Sequence, residues 1–195
     1  MAQPAHRYTV AEYLALERKA ETKSEFLNGE IFAMAGASRR HNLITANLIT
    51  RLSLQLERQP CEVYPSDMRV KAPAADFYTY PDVTVSCGEP RFEDVDLDIL
   101  LNPTLIVEVL SKSTAGYDRG AKFDQYRTIE SLREVLFVDQ ETIHVVQYVR
   151  QADDTWVLSE SRNLSGTMSL ASVEARLRLA DIYAKVRLDG GPKRI

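Results

Sequence analysis

Two acidic residues in apolar surroundings are the first candidates for chemistry in this sequence. Asp82 follows Pro81 at the start of the strand-like segment 81–87, and Glu108 lies inside segment 103–110, the most apolar strand-like segment of the chain. A lone buried carboxylate costs free energy and tends to protonate, so Glu108 needs a cation or a metal ion to stay charged. This requirement favours a functional role for Glu108, although a salt-bridged core residue would show the same pattern.

The alternation of side chains in strands predicts how these two carboxylates face each other. Asp82 and Thr84 fall on one face of their segment, and Ile106 and Glu108 share a face of theirs. We expect Asp82 and Glu108 to lie on neighbouring strands, close enough to share one metal ion. A Pro-Asp pair is also an ordinary strand or turn start, so Asp82 by itself is an even choice between site and structure.

A basic residue follows the Glu108 segment after a short loop. Asp118, Lys122 and Tyr126 stand four residues apart, which places them on one face of a helix predicted from Asp118 to about Ile129. Lys122 can therefore reach back towards the carboxylates. From spacing alone, a surface salt bridge between Asp118 and Lys122 is the simpler interpretation.

Several further residues are weaker candidates. His41 lies on the inward stripe of a long predicted helix, where a satisfied core histidine is the more common case. Glu30 begins the returning strand of a hairpin, and Asp67 is either a strand-start residue or a further carboxylate near the site. Arg39 and Arg40 precede His41 near a helix N-terminus, where they could meet phosphate or form a solvated helix end.

The elements that must position these residues follow a mixed α and β order. A capping box at Thr9 and Glu12 predicts a first helix, and Asn28-Gly29 predicts a hairpin turn between strands. Ser38 caps a helix to about Arg58 whose apolar stripe is Ile44, Leu48, Leu52 and Leu56. The remaining predicted elements are strands at 63–70, 81–87, 103–110 and 135–138, a hairpin formed by 143–149 and 156–161, and a closing helix at 179–186.

This order predicts an α/β protein in which helices flank a mixed sheet, with a hairpin at the N-terminus and a hairpin extension towards the C-terminus. We expect one domain over residues 1–188 and a flexible tail at 189–195, where Gly190-Gly191-Pro192 occurs. The length of 195 residues suits one domain with a substantial core.

Composition limits the possible partners and locations. The net charge of -4 does not suggest a protein that coats nucleic acid, but it allows local binding through a basic patch beside an acidic site. Cys61 and Cys87 lack the spacing of a zinc site, and we interpret both as free core thiols in a reducing compartment. There is no apolar run typical of a signal peptide or a membrane span, so the expected location is the cytoplasm.

Taken together, these motifs resemble one known family. Tyr80-Pro81-Asp82-Val83, the segment 103–111 and the segment 117–126 resemble the Uma-type restriction endonuclease family. Asn28-Gly29-Glu30-Ile31 and Ala35-Gly36-Ala37-Ser38 followed by His41 are similar to that family's N-terminal pattern. The resemblance covers about residues 8–186. It implies the restriction-endonuclease-like fold, with a site of the type Pro-Asp…(Asp/Glu)-x-Lys.

The chain departs from that motif at one position. Two residues after Glu108 stands Leu110 and not a lysine, and the resemblance implies that Lys122 on the following helix takes this role. Lys112 is nearer in sequence and ranks second, because it lies at the strand end.

The resemblance implies a metal-dependent nuclease that hydrolyses phosphodiester bonds, with DNA as the expected substrate. Asp82, Glu108 and the backbone carbonyl of Val109 would bind Mg²⁺, with Mn²⁺ as a substitute. Lys122 would stabilise the transition state, and Glu30 and His41 would be further catalytic residues. A homodimer would suit cutting of both strands. The alternative is a catalytically weak nucleic-acid-binding or assembly protein on a nuclease scaffold, since fold does not fix function.

Overall fold

The computed structural model describes residues 6–112 and 114–188. Two of its helices begin where the sequence predicts. Helix α1 (Val10–Glu17) starts at a complete capping box, in which Thr9 and Glu12 each accept a hydrogen bond from the other's backbone amide. Helix α2 (Arg39–Leu56) starts after Ser38, whose hydroxyl accepts from the amide of His41. The predicted apolar stripe of α2 is buried over its whole length.

A six-stranded sheet, here called the central sheet, carries the two acidic segments. Its order is β11-β10-β9-β8-β6-β3, and β8 and β9 are its parallel neighbours. The strands are β3 (Cys61–Pro65), β6 (Val83–Cys87), β8 (Leu105–Leu110), β9 (Glu134–Asp139), β10 (Val145–Arg150) and β11 (Trp156–Ser161). Strand β8 is buried along its whole length and lies between β6 and β9, which confirms its prediction as a central strand.

A second sheet, here called the N-terminal sheet, has the order β2-β1-β5-β4-β7. Its strands are β1 (Ser24–Leu27), β2 (Glu30–Ala33), β4 (Arg69–Ala72), β5 (Phe77–Thr79) and β7 (Ile99–Leu100). The predicted hairpin at Asn28-Gly29 joins β1 to β2, and both turn residues have positive φ angles, as a tight two-residue turn requires.

Three apolar clusters hold these layers together. Leu105 and Val107 of β8 face the stripe of α2, whereas Ile106 and Leu110 face the opposite side of the central sheet. On that opposite side they meet Val70, Ala72 and Phe77 of the N-terminal sheet, together with the helical segment after β8. A third cluster joins α1 to the N-terminal sheet. Glu108 shares the face of Ile106, so its side chain points into the junction between the two sheets.

The helical segment after β8 differs from the single predicted helix. It begins at Ala115 with α3 (Ala115–Tyr117), passes through a π-helical turn (Asp118–Lys122) and ends with α4 (Phe123–Tyr126). The predicted end near Ile129 is therefore three residues late. Single π turns inside helices are frequent at functional sites.

Two other element predictions need correction. The predicted strand 63–70 is two strands, β3 and β4, separated by a turn and placed in different sheets. The C-terminal region contains a hairpin that the sequence did not reveal, formed by β12 (Thr167–Leu170) and β13 (Ala175–Arg178), before the short helix α5 (Leu179–Ile182). The hairpin β10–β11 is as predicted. The predicted tail at 189–195 lies outside the described residues.

The expectation of two free thiols is wrong for this structure. Cys61 and Cys87 face each other across the antiparallel pair β3–β6, with Cα atoms 4.0 Å apart, and form a disulfide. The sequence could not reveal this pairing, because the two residues are 26 positions apart and only the strand register brings them together. The cytoplasmic location stays a prediction, and the two cysteines do not support it, because they are not the free thiols expected in a reducing compartment.

Candidate active site

Asp82 lies directly before β6, and Glu108 lies on the neighbouring strand β8. Strand β6 pairs antiparallel with β8, and Val83 is the partner of Val107. Continuing that register by one residue sets Asp82 opposite Glu108, and opposite residues of an antiparallel pair face the same side of the sheet. The amide of Val109 donates to Oδ2 of Asp82 at 2.7 Å, which fixes the Asp82 carboxylate beside β8. The register therefore agrees with the predicted arrangement of Asp82 and Glu108 on one face, although Asp82 lies one residue before β6, and a shared metal ion stays a prediction.

Glu108 is enclosed among charged and polar groups. Its side chain is 6% exposed, and Oε1 lies 2.9 Å from Nζ of Lys122 and accepts from the hydroxyl of Tyr126 at 2.5 Å. Burial raises the pKa of Glu108 to about 8. The charge of Lys122 opposes this rise, whereas the negative charges of Asp82 and Asp118 add to it. The site therefore holds more negative charge than one lysine neutralises.

Lys122 is the cation at the centre of the cluster. Its side chain is 5% exposed, and Nζ lies 2.8 Å from Glu25, 2.9 Å from Glu108 and 3.8 Å from Asp118. Burial alone would lower the pKa of Lys122, but the attraction of the surrounding carboxylates, Glu108 foremost, raises it well above its usual range. Lys122 is therefore held as an ammonium group. Lys112, the second-ranked lysine, is exposed beyond the end of β8.

The π turn brings a further acidic residue to the cluster. Asp118 is buried one turn before Lys122, and burial raises the pKa of its carboxyl group. Tyr126, one turn after Lys122, is fully buried and reaches Glu108. The four-residue spacing seen in the sequence thus belongs to a buried face of the helix, and the surface salt bridge that the spacing also allowed is not what forms.

Glu25 is a member of the cluster that the sequence analysis missed. It lies on β1, is 6% exposed, and accepts a hydrogen bond from the hydroxyl of the fully buried Thr79 in addition to its ion pair with Lys122. The available signal was weak, since Glu25 stands one residue before the apolar Phe26-Leu27 pair of the predicted hairpin. Only the packing of β1 against the helical segment shows that this carboxylate faces the site.

His41 reaches the site from the start of α2. Its Nε2 atom lies 3.1 Å from Oδ1 of Asp82, and the two side chains are 17% and 14% exposed. The hydroxyl of Thr45, one helical turn further on, lies 3.5 Å from Nδ1. His41 is therefore not enclosed in the apolar core, and Asp82 is held between an imidazole and the amide of Val109.

Other candidate residues lie elsewhere. Glu30 is 53% exposed on β2 and lies 4.0 Å from Arg7, so the structure does not bring it to the cluster. Asp67 is 85% exposed and pairs with Lys23. Arg39 is exposed, and Arg40 pairs with Glu141.

The donor set fits a hard divalent cation. Among residues 6–112 and 114–188, no three His, Cys, Asp or Glu side chains converge as a ready metal centre. Mg²⁺ does not need such a centre, because it keeps several waters and commonly takes one or two carboxylates together with substrate phosphate oxygens. Asp82 and Glu108 provide two carboxylates on one face, in a site with excess negative charge.

No described helix is both long enough and apolar enough to cross a membrane.

The fold and the cluster define a class of protein. The chain has an α/β fold with mixed sheets, in which several carboxylates and a buried lysine meet at the junction between the two sheets. A crystal structure described as "a putative nuclease belonging to DUF820" from Anabaena variabilis ATCC 29413 superimposes with a TM-score of 0.75, covering 90% of this chain and 97% of that one. At 17% identity, this similarity concerns the fold.

The sequence comparison gives the family. Residues 10–180 match the Uma2 family, whose description is "Putative restriction endonuclease", and the chain belongs to that family. A protein of Synechocystis sp. (strain ATCC 27184 / PCC 6803 / Kazusa), sll1609, is 45% identical over 78% of this chain and 86% of its own length. A second protein of that organism, slr1290, is 34% identical over 92% of this chain and 93% of its own length.

Proposed function

We propose that this protein is a metal-dependent nuclease that hydrolyses phosphodiester bonds of DNA. The observation that carries the proposal is the buried contact between Glu108 and Lys122, with Asp82 opposite on the adjacent strand. Structural charges are rarely gathered in such number at one buried point, and perturbed carboxylates beside a lysine are typical of active sites. The family match and the nuclease fold of the neighbouring structure support the same reaction class.

Asp82 and Glu108 are the residues that would hold Mg²⁺ or Mn²⁺, with the carbonyl of Val109 as a further oxygen donor. Such an ion supplies positive charge to the scissile phosphate and lowers the pKa of a water molecule. Burial raises the pKa of Glu108, with smaller contributions from the charges of Asp82 and Asp118, and the positive charge of such an ion would oppose this rise. In the metal-free protein, the ammonium group of Lys122 supplies part of this positive charge beside Glu108.

Lys122 has a donor to spare for the reacting phosphate. An ammonium group has three N–H donors, and Glu25 and Glu108 accept two of them at 2.8 and 2.9 Å. The third can be directed at a non-bridging phosphate oxygen, where negative charge increases in the transition state. Glu25 and Glu108 fix the position of the ammonium group before the substrate arrives.

His41 is suited to move a proton at the same site. Its contact with Asp82 orients the ring, and its partial exposure leaves the site open to solvent at the N-terminus of α2. His41 would accept a proton from the attacking water or deliver one to the leaving oxygen. The contribution of Glu30 stays a prediction from the resemblance.

The alternative function is a nucleic-acid-binding protein that does not cut. The specific observation in its favour is that Lys122 is already paired with buried carboxylates, as in a structural ion-pair core.

A homodimer and a cytoplasmic location are further parts of our proposal. Light scattering of the purified protein, with and without DNA, tests the first of these.

A cleavage assay decides between the two functions. Supercoiled plasmid and single-stranded DNA are incubated with the protein in Mg²⁺, in Mn²⁺ or in EDTA. We expect nicking or linearisation with either metal and none with EDTA. Glu108→Gln should abolish cleavage, and Glu130→Gln, an exposed carboxylate changed in the same way, serves as the matched control. Metal-independent cleavage, or equal activity of Glu108→Gln, would refute the proposed site.

A further inference from the structure

A second polar surface lies away from the acidic cluster, between α2 and the C-terminal hairpin β12–β13. It is a groove with a volume of about 470 Å³. Its lining consists of Arg51, Leu54, Gln55, Thr167, Arg176, Arg178 and Asp181. Three arginines and one aspartate leave it with two positive charges in excess, in a chain with a net charge of -4. We call this surface the arginine groove.

The walls of the arginine groove are fixed to each other. The side-chain amide of Gln55 donates to the carbonyl of Arg176 at 2.9 Å, and its oxygen accepts from the amide of Arg176 at 2.9 Å. This reciprocal pair ties the last part of α2 to β13. The backbone that carries the arginines is therefore held in place without a ligand, which reduces the entropy lost when one binds.

Asp181 orients two of the arginines. Both of its carboxylate oxygens accept hydrogen bonds from Arg178, at 2.8 and 2.9 Å, and Arg51 lies 3.3 Å from Oδ1. Arg178 remains 66% exposed and Arg51 45% exposed, so both keep N–H groups directed at solvent. Within the described residues, no carboxylate pairs with Arg176. One aspartate thus positions the guanidinium groups without neutralising the groove.

The spacing of the arginines suits a polyanion. Arg176 and Arg178 are two residues apart on one face of β13, which separates them by about 6.8 Å along the strand. Successive phosphates of one DNA strand advance about 3.4 Å along the helix axis and are further apart along the strand itself, so two arginines at this separation can contact neighbouring phosphates of one strand. Guanidinium groups form paired hydrogen bonds with phosphate oxygens.

Helix α2 connects the acidic cluster with the arginine groove. His41, at the cluster, and Arg51, in the groove, are ten residues apart on the same helix, which corresponds to about 15 Å. That length is between four and five base-pair steps of about 3.4 Å. The acidic cluster repels phosphate in the absence of metal, so a separate cationic surface is needed to hold the substrate backbone.

We propose that the arginine groove binds the phosphodiester backbone of the nucleic acid on which the acidic cluster acts. This inference rests on the proposed function for its substrate class. The three arginines would contact the phosphates, which position a protein on the duplex and carry no sequence information directly. The contribution of the groove is affinity and orientation on the duplex.

The test measures binding without cleavage. Fluorescence anisotropy of a labelled random-sequence DNA duplex is followed in EDTA at several NaCl concentrations. The variant Arg51→Ala/Arg176→Ala/Arg178→Ala should bind at least about tenfold more weakly than the parent. The slope of log K against log[NaCl] should become shallower by about 2 to 3, as expected for the loss of three phosphate contacts.

A second variant controls for the change in net charge. Arg91→Ala/Arg127→Ala/Arg162→Ala removes three exposed arginines that do not line the groove, and it should bind with an affinity within about twofold of the parent and an unchanged salt slope. If both variants lose the same DNA affinity, or if the parent does not bind DNA, the proposal that the arginine groove binds the phosphodiester backbone is wrong.

The same proteins separate this inference from the proposed function. If the parent binds DNA through the groove but does not cleave it with metal, the nuclease proposal is wrong and DNA binding by the arginine groove is supported. If the parent cleaves and the groove variant binds and cleaves like the parent, the groove fails and the nuclease proposal stands.

Discussion

Glu108 and Lys122 show how one buried contact can serve both stability and chemistry. The lysine lies 2.9 Å from Glu108, yet the pKa of Glu108 is raised to about 8, because burial and the charges of Asp82 and Asp118 outweigh the attraction of the lysine. Charge is therefore unbalanced at this point. A protein that needed only stability would reach it more simply with apolar residues of similar volume. This imbalance is our reason for assigning catalysis to the cluster.

Removing the ammonium group should affect turnover more than binding. Lys122→Met keeps the length of the side chain and removes its charge, and we expect cleavage to fall by roughly a hundredfold or more, the scale of losing one electrostatic stabiliser. DNA affinity should stay near that of the parent, because the group acts on the transition state. Single-turnover cleavage and circular dichroism of the folded variant check this.

Lys112→Met provides the matched control for Lys122→Met. It removes one exposed lysine near the end of β8, and its cleavage should remain within about threefold of the parent, since exposed charges contribute little. If Lys112→Met is the inactive variant, the assignment of the lysine is wrong.

The raised pKa of Glu108 predicts a pH dependence of stability in the absence of metal. The folded protein binds a proton on Glu108 more tightly than the unfolded chain does, as its pKa rises from 4.5 to about 8. The stability that this proton on Glu108 contributes to the folded state is therefore fully present below pH 4.5 and is lost as the pH rises towards 8. Glu108→Gln lacks this titration and keeps an acceptor for Tyr126.

We therefore expect the difference in Tm between Glu108→Gln and the parent, both measured in EDTA, to shift in favour of the variant as the pH rises from 4.5 towards 8. Thermal melts across the range provide the measurement. A difference in Tm that does not change with pH would show that Glu108 is charged throughout, as in a balanced ion pair.

At the scale of elements, the candidate site is the junction of four pieces of chain. Strand β8 and the segment before β6 supply the strand carboxylates, the π turn supplies Lys122, and β1 of the N-terminal sheet supplies Glu25. The ion pair between Glu25 and Lys122 therefore joins the N-terminal sheet to the helical segment that covers the central sheet. The N-terminal hairpin is part of the site and not an appendage.

Truncating Glu25 should loosen this junction. In Glu25→Ala, the buried Thr79 hydroxyl and the Lys122 ammonium group both lose an acceptor, which should lower the free energy of unfolding by at least about 2 kcal/mol. Urea denaturation measures this loss. Glu30→Ala, on the next strand, removes an exposed pair with Arg7 and should cost no more than about 0.5 kcal/mol. Equal effects would mean that Glu25 does not link the elements.

The disulfide between β3 and β6 makes a separate prediction at this scale. It closes a segment of 26 residues, and the chain-entropy relation gives a stabilisation of about 3.5 kcal/mol. Reduction with dithiothreitol should lower the urea midpoint of the parent and leave Cys61→Ala/Cys87→Ala unchanged. Thiol titration of the denatured, unreduced parent should find no free thiol, and two free thiols would contradict the disulfide.

For the whole molecule, the proposed binding of a metal ion would couple the acidic cluster to global stability. A ligand that binds the folded state alone stabilises it by about 2.7 kcal/mol at a concentration one hundred times its Kd. Mg²⁺ should therefore raise the Tm of the parent, and EDTA should reverse the change. Asp82→Asn and Glu108→Gln should each lose this response. A Mg²⁺ response that survives in both variants would place the ion elsewhere.

The sequence by itself determined much of the framework, because local signals specify local structure. The capping box at Thr9, the cap at Ser38, the turn at Asn28-Gly29 and the stripe of α2 act over a few residues, and the structure confirms each of them. The alternation in β6 and β8 also predicted which face carries Glu108. The short strands β5 and β7 and the hairpin β12–β13 escaped prediction, because tertiary pairing defines strands of two to four residues that lack a clear local turn signal such as Asn28-Gly29.

Only the tertiary structure decided how distant residues combine. Glu25 and Lys122 are nearly one hundred positions apart, Ser38 and Gln140 are 102 positions apart, and no local pattern connects such pairs. The disulfide depends on the register of β3 against β6, and the burial of Lys122 depends on the packing of the π turn over β8. Spacing along one helix could not distinguish a buried face from an exposed one, because burial is a property of what packs against that helix.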